Sequence, residues 1–156
     1  MATMVGSGNA LFPISRNGFL VGTFDWDSDT WFCVFVDNSV DAQGGPQDDD
    51  DYLDDITAGA IVKSATESAN RIASPVATDG DGVADGNDVT MTSVNNGGAA
   101  VESLLICREI GGDQTTPAND EMVVFIEDAN GTMPVTPNGG DIEIQWDNGA
   151  NKIFKL

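Results

Sequence analysis

The chain has 156 residues, enough for one domain with a real core, and 40% of them are hydrophobic. Twenty-six Asp and Glu stand against six Lys and Arg, a formal net charge of -20, which excludes phosphate backbones and anionic membranes as electrostatic partners. With no histidine there is no Ser-His-Asp or Cys-His chemistry, no imidazole zinc ligand and no histidine pH switch.

In chain order, residues 1–17 are small, glycine-bearing and apolar, and read as an extended N-terminal arm carrying Met4, Val5, Leu11 and Phe12. Residues 18–156 then form a single domain. Within Asn9–Leu20 a short helix is conceivable, with Leu11, Ile14 and Phe19 partly aligned, although Pro13 and Gly18 weaken it. The clearest strand is Thr30–Asp37 (TWFCVFVD). Trp31, Cys33 and Phe35 share one of its faces and Phe32, Val34 and Val36 the other, so it belongs in the middle of a sheet covered on both sides. An acidic insertion follows at 38–55, ending in Asp48–Asp51 and Asp54–Asp55, and reads as a solvated loop.

Further strands are expected at Ala60–Ser64, Asp88–Val94, Val101–Ile110, Met122–Glu127, Asp141–Asp147 and Lys152–Leu156. Asp141–Asp147 alternates cleanly, with Ile142, Ile144 and Trp146 inward and Glu143 and Gln145 outward. The turn Asp147–Asn151 is expected to fold the last two strands into a hairpin. Short strands separated by Gly- and Asn-rich turns give an all-β class, as an antiparallel β-sandwich or jelly-roll-like domain. Cys33 and Cys107 lie in apolar runs and read as buried small hydrophobes, with one disulfide as the other reading.

Calcium is the one cofactor the motifs raise. Asp25, Asp27 and Asp29 open like an EF-hand loop, but Thr30 and Val36 occupy the positions that need Gly and Glu, so that candidate fails. In Ala77–Asp88 (ATDGDGVADGND), Asp79, Asp81, Asp85 and Asp88 stand at ligand spacings and resemble aspartate-rich calcium loops. A metal-free acidic turn explains the same letters. No catalytic residue stands out, because 26 acids make any carboxylate pair arbitrary, and there is no nucleophile elbow or phosphate-cradling loop.

The segments EMVVFIE (Glu121–Glu127), MPVTPNGGDIEI (Met133–Ile144) and QWDNGANKIFKL (Gln145–Leu156) together resemble a family of small tailed-bacteriophage virion structural proteins. FLVGTFDWDSD, TWFCVFVD, YLDDITAGAIV and DGVADGNDVTMTSV extend the likeness over most of residues 10–156. The resemblance implies no catalytic residues. It implies a head decoration (cement) protein on the capsid exterior, made in the host cytoplasm, with the major capsid protein and copies of itself, as a trimer, for partners. A neck, tail or baseplate component and a calcium-dependent binding module are the alternatives. On that reading the adhesive residues are Met4, Val5, Leu11, Phe12 and Arg16 of the arm, and Lys152, Ile153, Phe154, Lys155 and Leu156 of the last strand.

Overall fold

The computed structural model describes residues 4, 8–62, 70–78, 82–94, 99–111, 117–127, 131–150 and 152–156. Its elements run β1 (Ala10–Leu11), α1 (Pro13–Val21), β2 (Trp31–Val36), two short 3-10 turns (Leu53–Asp55 and Ala58–Ala60), β3 (Ile61–Val62), β4 (Val76–Thr78), β5 (Val83–Asp85), β6 (Val89–Met91), β7 (Ser103–Arg108), β8 (Glu121–Ile126), β9 (Ile142–Ile144) and β10 (Phe154–Lys155). Among the described residues the regular structure is mostly strand, every strand pairing is antiparallel, and α1 is the one α-helix. The all-β expectation holds.

The main sheet has the order β1-β8-β7-β2-β3. Strand β2 lies between β7 and β3, and all six of its residues are buried, as a run apolar on both faces requires. Alternation along β2 sends Trp31, Cys33 and Phe35 into one core cluster and Phe32, Val34 and Val36 into another. Strand β7 divides the same way, Leu104 and Ile106 to the first cluster, Leu105 and Cys107 to the second. Cys33 and Cys107 therefore lie on adjacent strands but on opposite faces, with Cys33 opposite Ile106 and Cys107 opposite Phe32. Both thiols are free and buried, because side chains on opposite faces point apart and cannot bond. Burial pushes both thiols far above the ordinary cysteine range.

The first cluster is closed by residues of two smaller sheets, β10-β5-β4 and β6-β9, through Ala84, Val89, Met91 and Ile144. Its densest part is aromatic. Trp26 stacks on Trp31 with centroids 4.6 Å apart, Phe154 meets Trp26 edge-on at 5.0 Å, and Phe19 lies 5.8 Å from Phe154. Both indole N–H groups donate to backbone carbonyls, Trp26 to Asp85 and Trp31 to Trp26.

The second cluster is closed by Leu53, Ile56 and Ala60, with Met4 and Phe12. This corrects two expectations. The acidic segment 38–55 is solvated only in part: Asp49, Asp51, Asp54 and Asp55 are exposed, while Asp41, Gln47 and Asp50 are buried and Leu53 enters the second cluster. Residues 10–17 are not a detached arm: Ala10 and Leu11 pair with Phe125 and Val124, and Phe12 is fully buried. A continuous apolar run in β2 creates two faces to shield from water, and these are the apolar side chains that shield the second.

Helix α1 shows why the two apparent helix breakers fit. Pro13 stands in the first turn, where its missing N–H costs nothing. A Cβ on Gly18 would come within 2.6 Å of the Phe24 ring, so glycine there lets the ring seat against the helix. Gly22 ends the helix in the left-handed conformation at φ 74°. Ser15 Oγ sits 2.8 Å from Phe12 O and 2.9 Å from Val123 O, sharing its proton between the helix start and β8.

The expected terminal hairpin does not form. Strand β9 pairs with β6 and β10 pairs with β5. The Trp146 N–H donates to the Asp88 carboxylate and its indole N–H to Asn87 O, which holds the end of β9 to the β5–β6 connection. The expected alternation along 142–146 is present, with Ile144 and Trp146 buried and Glu143 and Gln145 exposed.

Because Phe12 closes the second cluster, Phe12→Ala should lower unfolding free energy by about 3–5 kcal/mol in a denaturant titration. A loss below about 1 kcal/mol would show that residue 12 is not part of the core.

Candidate binding surface

The acidic segment is ordered by its own carboxylates. Asp41 Oδ1 accepts from the Thr57 N–H at 2.8 Å, and Oδ2 from the N–H groups of Gln43 and Gly45 at 3.2 Å each. Asp50 Oδ2 accepts from the Gln47 N–H at 2.7 Å, and Asp55 Oδ2 accepts from Asp51 and Tyr52 at 3.0 Å each. Asp37 Oδ2 accepts from Ala100 N–H and so ties the segment to the approach to β7. The Asp41–Gln43 bond is an Asx turn, and in the others too a short carboxylate satisfies N–H groups that have no ladder partner.

Two of these acids titrate in opposite directions. Burial pushes the Asp41 carboxyl up, but the bonds from Thr57, Gly45 and Gln43 outweigh it and hold it below the usual range. Burial also raises Asp50. Its bonds from Gln47 and Gln43 only partly offset that rise, and nearby Asp55 and Asp49 add to it.

The scarce cations work mostly inside the fold. Arg71 makes a two-point contact to Glu109, whose side chain is fully buried, with bonds of 2.9 and 2.6 Å. Arg108 lies over the Phe24 ring at 4.9 Å and reaches both Asp29 and Glu121 at 2.9 Å. Lys152 stands 3.4 Å from Asp85. Arg16 on α1 and Lys155 on β10 are exposed, and neither makes an ion pair with a described residue.

These placements sort the expected adhesive residues. Met4 and Phe12 are buried in the chain's own core and present nothing to a partner, a correction that follows from their role in closing the second cluster. Val5 lies outside the described residues. Leu11, Ile153 and Phe154 are half-buried and pack against the first cluster, and Lys152 is half-buried beside Asp85. Arg16, Lys155 and Leu156 are exposed.

The structure adds two residues that the sequence reading missed. Leu20 is 86% exposed and Val21 62% exposed. Arg16 and Leu20 are four apart on α1 and so share a face, while neighbouring Phe19 turns inward to meet Phe154. That inward contact joins α1 to β10 inside the first cluster, while Arg16, Leu20 and Val21 on α1 and Lys155 and Leu156 at the chain end are exposed. The helical spacing of Arg16 and Leu20 was the available signal.

Of the four calcium candidates, only Asp85 and Asp88 lie among the described residues, and Asp79 and Asp81 lie outside them. Asp85 is taken by Lys152 and by its neighbour's Gly86 N–H, and Asp88 by the Trp146 N–H. Among the described residues no group of three or more Asp, Glu or Cys is placed to hold a metal ion. The failed EF-hand opening is a structural turn: Asp27 N–H donates to Asp25, Asp25 N–H to Asp29, and Asp27 accepts from Ala77 N–H on the outer edge of β4. Among the described residues no helix is long and apolar enough to cross a membrane.

No protein-family model, curated protein or solved structure matches this chain.

Asp41 supplies a pH test of the carboxylate-capped segment. Its folded value lies below its unfolded one, so its stabilisation is complete above the unfolded value, about 3.9, and is lost as pH falls through the folded value. Asp41→Asn leaves one oxygen for three N–H donors and should cost about 1.5–3 kcal/mol at neutral pH. The gap to the native protein should narrow by about pH 3 in urea titrations. An equal gap at both pH values would mean the carboxylate charge contributes nothing.

Proposed function

We propose that the protein is a non-enzymatic bacteriophage virion structural protein, a head decoration protein that binds the capsid exterior and stabilises it. The resemblance of the segments 121–127 and 133–156 to phage structural proteins motivates the reading. The observation that carries it is the set of exposed apolar and cationic side chains on α1 (Arg16, Leu20, Val21) and at the chain end (Lys155, Leu156). On a chain of net charge -20, each of the two exposed cations without an ion-pair partner among the described residues has an exposed hydrophobic next to it, Arg16 one helical turn from Leu20 and Lys155 adjacent to Leu156. Apolar area gives a contact its driving force and opposite charge gives it register.

The body behind these side chains suits the role. We read the fold as a β-sandwich, the main sheet facing the two smaller sheets across the aromatic cluster. Such a body needs no cofactor to hold its shape. The described acids mostly cap turns or hold cations, an arrangement that supports a binding rather than a catalytic protein. The partners are the major capsid protein and further copies of the chain. A single contact of this size binds weakly, and assembly into trimers about local symmetry axes adds avidity. Arg16 and Lys155 at the contacts relieve repulsion between copies that each carry -20.

The test is rebinding to phage heads stripped of the protein. The native chain should saturate them at a fixed copy number. Arg16→Glu combined with Leu20→Asp alters only exposed side chains, so it should keep its melting temperature while its affinity falls at least about tenfold. Undiminished saturation by that variant would remove Arg16 and Leu20 from the contact.

A further inference from the structure

A cleft of about 520 Å³ lies between β9 and the main sheet. Its floor includes Leu104 and Ile126, and Met133 and Val135 form part of its side. Residues 142–147 line it consecutively. Side chains of successive strand residues point to opposite faces, so a cleft touched by all three residues of β9, Ile142–Ile144, meets the strand's edge rather than one face. Strand β6 occupies one edge of β9, and no strand occupies the other among the described residues. The open edge of β9 therefore borders the cleft with its backbone N–H and C=O groups unpaired by any described strand.

The chemistry around this edge is one-sided. Glu143 and Asp147 line the cleft, and Met133 joins it to a second cleft of about 500 Å³ lined by Glu102 and Glu127. The one cation on the lining, Lys152, already faces Asp85. A second copy of the chain laid along this edge would bring Glu143 and Asp147 against acids of its own, which disfavours self-pairing.

We propose that the open edge of β9 is a strand-addition site for an extended segment of a partner protein that alternates apolar residues with Lys or Arg. The apolar side chains enter the cleft over Leu104 and Ile126, the backbone completes the β6-β9 sheet, and the cations meet Glu143, Asp147 and the neighbouring Glu102 and Glu127. None of Arg16, Leu20, Val21, Lys155 and Leu156 lines this cleft, and the inference does not depend on the particle reading.

The probe is a short peptide of alternating Lys and Val, titrated into the isotope-labelled full chain and followed by backbone amide shifts. Saturable binding with shifts concentrated at Ile142–Asp147 is expected. The same peptide N-methylated at every residue keeps its charge but cannot pair, and should bind at least about tenfold more weakly, as should Glu143→Lys with the unmodified peptide. Glu143 is exposed, and the variant's unchanged amide spectrum elsewhere would show that it still folds. Equal binding of the N-methylated peptide would overturn the proposal, reducing the contact to charge attraction. So would equal binding of a Glu-Val peptide, shifts centred on another edge such as β1 or β10, self-association in place of peptide binding, or no binding.

Discussion

Burial of both faces of β2 is the constraint on which the rest of the structure depends. Six consecutive residues, Trp31–Val36, carry no side chain that tolerates water, and three of them are aromatic. Each fully buried side chain of this size contributes about 1.5–3 kcal/mol, but only where something covers it. One face recruits the small sheets and the aromatic cluster, which gathers Phe19 from the helix and Phe154 from the chain end. The other recruits Phe12, Leu53 of the acidic segment, and Ile56 and Ala60 just after it. Remote parts of the sequence are thus held together by one strand's need for two covers.

Charge follows from that arrangement. A segment that covers a face with turns instead of strands leaves N–H groups without ladder partners, and Asp is the shortest side chain that can accept from several of them. Asp41, Asp50 and Asp55 do so. Part of the acidity is therefore structural, and it accompanies the internal use of Arg71 and Arg108 as clamps on Glu109, Asp29 and Glu121. What remains for association is uneven: exposed cationic and apolar side chains on α1 and at the chain end, and an acidic, apolar cleft along β9. Features of opposite character suit a protein that assembles with others.

Much of the fold was legible in the sequence where the signal was local. The apolar run of β2 and the alternation of Ile142, Ile144 and Trp146 read directly, because period-2 patterning reflects burial. Pairing partners did not, because a strand's pattern says which face is buried and not which strand lies beside it. The Asn-Gly turn after Trp146 looked like a hairpin, yet the Asp88 carboxylate holds that end elsewhere. The 38–55 segment reads only in part because Asp is equally at home in water and in accepting turn N–H groups, and only the three-dimensional position of Leu53, Asp41 and Asp50 shows which part is buried. The N-terminal residues misled for a related reason: Phe12 is an adhesive side chain or a core side chain by the same letters. At the candidate surface, Arg16, Lys155 and Leu156 were legible, whereas Leu20 needed the helix to be certain before its outward face was defined.

The central claim, that this chain is a capsid decoration protein, is tested most directly by its stoichiometry to the major capsid protein in purified phage particles, measured by quantitative mass spectrometry. The account predicts a fixed ratio near one copy per capsid subunit. A trace ratio would contradict decoration and place the protein at the neck, tail or baseplate, and absence from particles would contradict the structural role itself.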